Sequence, residues 1–124
     1  MSRHLIVIAG IFGLLAVVIG AFGAHGLKNR LAPDLMSAYQ TGVQYHFYHA
    51  LALLACGILM RTGIDNSAMR ISGYAFIAGI ILFSGSLYVL AVTGLRWLGA
   101  ITPLGGVAFI AGWLFLILGV LRSA

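Results

Sequence analysis

Acidic side chains are almost missing from this chain: Asp34 and Asp65 are the only two, against seven basic residues. Neither falls inside a long apolar run. The intramembrane carboxylate with which small four-helix exporters couple protons to cation antiport is therefore absent, and no carboxylate is placed to orient a histidine base beside the Ser84-Gly85-Ser86 triplet, which argues against a Ser/His hydrolase. Cysteine is reduced to Cys56, so the chain can form no internal disulfide and carries no CxxC metal or redox motif. Charged residues make up 7% of the total, far below the roughly 25% of an ordinary soluble domain. The net charge of +5 flanks the apolar runs and is not interleaved with exposed aromatics, so nucleic acid is not expected as a partner.

What is present is apolar: 62% of the residues are hydrophobic, gathered into runs at about 5–24, 42–61, 71–92 and 103–121, each close to the ~20 helical residues that cross a hydrocarbon core. Backbone amides in lipid must all be paired, which leaves helices or closed barrels, and the runs lack the alternation of barrel strands. The expectation is an all-α membrane protein, one domain over residues 1–124, folded as a four-transmembrane-helix bundle of antiparallel up-down topology, with the lipid bilayer as its first partner. The first run, "MSRHLIVIAGIFGLLAVVIGAFGAHG", also reads as a secretory signal with a cleavable Ala21-Phe22-Gly23 triplet. Its length favours retention as a span.

Four spans put both termini on one side. Arg3, Arg61, Arg70 and Arg122 share that side, while Lys28, Arg30 and Arg96 lie opposite, a bias toward cytoplasmic termini. Pro33 suits a first helical position with Asp34 in the first turn, so the second helix can begin as an interfacial segment. Thr102 is read as the N-cap and Pro103 as N1 of the fourth span. Seventeen glycines would weaken a soluble helix, but in lipid they let backbones approach closely. Gly13, Gly20 and Gly23 form a stripe with Ala16 on the first span, Gly79 joins Ser72, Ala75 and Ser86 on the third, and Gly105, Gly112 and Gly119 recur every seven residues on the fourth. These are the expected packing positions, and a leftover stripe would serve self-association or a larger membrane complex.

The polar motifs converge. "GAFGAHGL" ends span one, "YHFYH" begins span two, "FSGSLY" ends span three and "ITPLGG" begins span four, so all four fall at the face opposite the termini, and the other half reads as almost purely aliphatic. The candidate polar layer is His25, Tyr45, His46, His49, Ser84, Ser86, Tyr88 and Thr102. At 1.5 Å per residue from Arg61, His46 lies about 6 Å and His49 about 10 Å below the far interface, where neutral imidazoles are expected. Three readings stay open. The rings can hydrogen-bond across helices, for instance to Ser84 or Tyr88, at about 0.6–2 kcal/mol per bond. They can bind a metal or haem, although His25, His46 and His49 are the only ligand candidates at that depth and Cys56 is roughly 10 Å deeper than His49. Or Tyr45, His49, Ser84 and Tyr88 can line a pocket or proton chain for a quinone or other ligand.

These four motifs together resemble the YgdD/YwdK-like family of small bacterial membrane proteins, a family of unknown function with small eukaryotic transmembrane relatives. The resemblance covers essentially the whole chain, with Gly23, His25, Gly26, Tyr45, His49, Ser84, Gly85, Ser86, Tyr88, Thr102, Pro103 and Gly105 at matching positions. It implies a multi-pass inner-membrane protein and carries over no catalytic residue, metal or cofactor. The expected function is a non-enzymatic structural or accessory component of the membrane. The alternative is a small ligand-binding or transport module built on the polar layer.

Overall fold

In the computed structural model, which describes residues 1–123, four apolar helical spans run antiparallel. The first is α1 (Ser2–Phe22), prolonged by a π-helical turn, Gly23–Leu27. The second, α2, is one continuous helix from Pro33 to Arg61 with Ala32 as its N-cap. The third comprises α3 (Ser67–Gly79), a second π turn at Ile80–Ser84 and α4 (Gly85–Thr93). It stops at Gly94, whose positive φ of 73° returns the chain and lets its amide bond the Leu90 carbonyl. A 3-10 turn, Arg96–Ala100, leads into α5 (Thr102–Arg122). No strand occurs among the described residues, so every spanning segment satisfies its own backbone.

The spans are held by glycines that receive large side chains. Met69, Phe76 and Phe83 recur every seven residues on the third span, and Gly119, Gly112 and Gly105 recur every seven on α5. Running antiparallel, each large residue lies on one glycine: Met69 on Gly119, Phe76 on Gly112, and the Phe83 main chain itself on Gly105. Gly79 inverts the arrangement and takes the Phe109 ring from α5. A seven-residue repeat is the seam of coiled-coil-like packing, and small residues let it close tightly in lipid. Elsewhere Ile6 of α1 lies on Gly57, Val43 on Gly20 and Tyr39 on Gly23, while Leu5 reaches Gly73 and Tyr88 covers Gly42. Leu5, Leu53, Cys56, Met69 and Phe76 are buried where these seams meet.

Gly13 departs from the expected stripe. Nothing lies within 4 Å of where its Cβ would be, because α1 contacts the bundle along the Leu5, Ala9 and Ala16 line instead. Gly42, Gly57 and Gly73 do the packing that the stripe reading did not assign to them.

The half of the bundle near the termini is also less aliphatic than its sequence suggests. Ser72, with no exposed surface, donates to the Gly112 carbonyl at 2.6 Å, and the Cys56 Sγ lies 3.4 Å from the Ser72 Oγ. Asn66 accepts the Met69 amide as N-cap of α3 while its Nδ2 donates to the Gly119 carbonyl. One side chain thus starts a helix and clamps it to α5. Asn66→Ala is expected to cost about 1–3 kcal/mol through the lost cap and the lost clamp, measurable as a lower denaturation midpoint in detergent.

Candidate functional site

The polar motifs gather in the half of the bundle away from the termini, and most of their groups find partners in neighbouring helices. Ser84 is fully buried and donates to the Gly42 carbonyl of α2 at 2.6 Å. The glycine matters here, since a bare backbone lets the hydroxyl reach an acceptor already used within its own helix. Ser86 donates to the Phe83 carbonyl at 2.9 Å, so the Thr102 hydroxyl 2.7 Å away is the donor in the bond that joins α4 to α5. Thr102 is accordingly the first residue of α5 and not its N-cap; Ile101 occupies the cap without a side-chain bond.

His49 is 5% exposed and lies flat on Phe109, with ring centroids 3.6 Å apart and planes 10° apart. Its Nδ1 is 2.8 Å from the Tyr45 carbonyl, one turn earlier in α2. Its Nε2 is 3.1 Å from the Trp113 indole nitrogen on α5. An indole N–H can only donate and a carbonyl can only accept. The two partners therefore fix one tautomer: the proton on Nδ1 and the lone pair on Nε2, both occupied. Of the expected bonds from the two rings to Ser84 or Tyr88, only the one from His46 to Tyr88 is made, because the His49 imidazole turns toward α5. Trp113 is the residue that the polar motifs failed to suggest. Its signal was a lone indole in the middle of an apolar run, where an N–H at hydrocarbon depth needs an acceptor.

His46, 3% exposed, pairs instead with Tyr88 of α4, with 2.8 Å between its Nδ1 and the phenol oxygen. The Phe12 ring meets the imidazole edge-on at 5.9 Å. The Phe12 main chain is nearby, but no group among the described residues reaches hydrogen-bonding geometry with Nε2. Tyr45 is 39% exposed and contributes its ring, stacked toward His49 and 4.7 Å from the centroid of Phe83.

His25 stands apart from the layer. It lies in the first π turn, exposed, and its Nδ1 bonds only the Ala21 carbonyl of its own helix. A His25 and His49 pair for haem is thus not assembled, and no group of three His, Cys, Asp or Glu side chains is placed for a metal among the described residues. The two π turns, which hold His25 and Ser84, were not foreseen. Such turns widen a helix where close packing demands it and recur at functional sites. The second sits beside the contact of Phe83 with Gly105.

Comparison with known proteins agrees with this architecture. The family model described as a protein of unknown function (DUF423) matches residues 19–106. The chain is 46% identical over 117 residues to the UPF0382 membrane protein YwdK of Bacillus subtilis, covering 94% of this chain and 95% of that one. It is 44% identical to a UPF0382 membrane protein of Staphylococcus saprophyticus, over 94% of this chain and 96% of the relative. To the inner membrane protein YgdD of Escherichia coli it is 41% identical, over 98% and 92% of the two chains. No solved structure matches the chain.

Proposed function

The chain belongs to the DUF423 family, whose function is unknown, and from that premise we propose that it acts through its packed transmembrane surface, as a structural or accessory component of the membrane and not as an enzyme. Its place is the bacterial inner membrane, which it crosses four times. One observation carries the proposal: both nitrogens of His49 are occupied by protein partners, Tyr45 and Trp113. His49, the deeper of the two buried imidazoles, is thus spent on holding α2 to α5, while His46 gives its Nδ1 to Tyr88 of α4 and keeps Nε2 without a hydrogen-bond partner among the described residues. Ser84, Ser86 and Thr102 are likewise spent on interhelical bonds.

The outer face of α1 supports the interaction side of this reading. Gly10 and Gly13 have open space where side chains would be, so a helix of a second copy or of a larger complex can approach that backbone closely. The test is gentle purification followed by elemental analysis, a visible spectrum and identification of co-purifying membrane proteins. The expected result is no stoichiometric metal and no haem band, with self-association or a recurrent membrane partner. A stoichiometric metal or chromophore lost in His49→Ala would overturn the proposal.

A further inference from the structure

A groove of about 390 Å³ opens between the end of α1 and the start of α2, lined by Gly20, Gly23, Ala24, Tyr39, Gln40 and Gln44 among others. Its floor is narrow because Tyr39 lies against Gly23 and Val43 against Gly20. The Tyr39 hydroxyl is committed to the Ile19 carbonyl at 2.6 Å, which fixes the two helices at that separation. Gln40 and Gln44 stand one turn apart, both exposed on the groove side.

Depth decides what such a groove can hold. Counting from Arg61 at 1.5 Å per residue, Gln44 lies about 26 Å and Gln40 about 32 Å across a hydrocarbon layer of about 30 Å. One carboxamide is therefore at the far boundary and the other a turn inside it. An amide exposed there needs an acceptor, since an unsatisfied polar group in hydrocarbon is costly. The acceptors present in quantity at that level are the ester carbonyls of lipid. Above the groove, the loop that joins its two walls carries Lys28 and Arg30. The acid on the same end, Asp34, is paired with Arg96 at 2.8 Å, which leaves those two cations to meet a phosphate.

We propose that this groove is a binding site for one glycerophospholipid of the far leaflet. The ester carbonyls accept from Gln40 and Gln44, an acyl chain runs down past Ala24 toward Gly20, and the phosphate lies against Lys28 and Arg30.

The test is native mass spectrometry of the full chain in detergent, titrated with phosphatidylglycerol and, in parallel, with diacylglycerol, which has the same esters and no phosphate. The wild type is expected to retain one phosphatidylglycerol and to prefer it to diacylglycerol. Ala24→Phe, which fills the groove, and the pair Gln40→Leu with Gln44→Leu should each lower occupancy roughly tenfold, the scale of one or two lost hydrogen bonds. Lys28→Ser with Arg30→Ser should abolish the preference for the phosphate. Leu104→Phe, on the lipid-exposed surface of α5, should change nothing. All these positions are exposed, and an unfolding temperature without added lipid that matches the wild type establishes that each variant is folded. Equal retention by wild type, Ala24→Phe and the glutamine pair would mean annular lipid only and would overturn the proposal. So would equal binding of diacylglycerol and phosphatidylglycerol by the wild type.

Discussion

Gly105→Ala is expected to unfold the bundle or force α5 away from the third span, the largest effect of any single added methyl in the chain. A Cβ at Gly105 would overlap the main-chain nitrogen and Cα of Phe83. Main chain cannot rotate out of the way as a ring can. Ordinary overpacking costs about 1–3 kcal/mol because side chains repack around the intrusion. Here the only relief is translation of a whole helix, which strains the Ser86 to Thr102 bond and lifts Phe109 off Gly79. Gly112→Ala makes a useful contrast, since its Cβ would meet the Phe76 ring. Its defect should be partly rescued by Phe76→Leu, whereas no substitution at Phe83 should rescue Gly105→Ala. Gly13→Ala, with open space around it, should be neutral or gain up to about 1 kcal/mol from helix propensity. Denaturation in detergent followed by circular dichroism ranks the three. Equal losses would show that the heptad seam is not what holds α3 and α4 to α5.

The spans were legible because lipid imposes a simple rule: long apolar runs must be helices, and charges such as Arg61, Arg70 and Arg122 must lie at their ends. The seven-residue spacing of Gly105, Gly112 and Gly119 was legible for a related reason, since one face of a helix repeats almost every two turns. Its partner series Met69, Phe76 and Phe83 was harder to see, because apolar residues surround each of them and nothing marks three as special until the opposing helix is in register. Gly13 shows the reverse: a small residue on the expected stripe has no partner, because which helix face turns inward is decided by tertiary packing. The polar layer was legible as a depth. Its pairings were not. Whether His46 or His49 meets Tyr88 depends on about 60° of rotation about the α2 axis. Trp113 was concealed because an indole in an apolar run reads as bulk, although its N–H turned out to choose the tautomer of His49.

His49→Ala is expected to lower stability by roughly 2–4 kcal/mol, as a buried ring is removed from Phe109 and the Trp113 N–H loses its acceptor. The hydrogen bond can be separated from the packing by a double-mutant cycle. Trp113→Phe keeps most of the ring contact with Phe76 and removes the donor, which should cost about 0.6–2 kcal/mol in the wild type and close to nothing in the His49→Ala background. His49→Gln offers a carbonyl oxygen to the same indole and should recover part of the loss, while His49→Leu, similar in bulk but without an acceptor, should not. A ligand role for His49 makes the opposite prediction. Trp113→Phe would free the Nε2 lone pair and so raise the affinity for added zinc or haem, a gain of binding that a purely interhelical imidazole does not give. If the cycle shows no coupling and Trp113→Phe acquires a metal or a haem band, the indole is a cover over a binding site, and the layer exists to be opened.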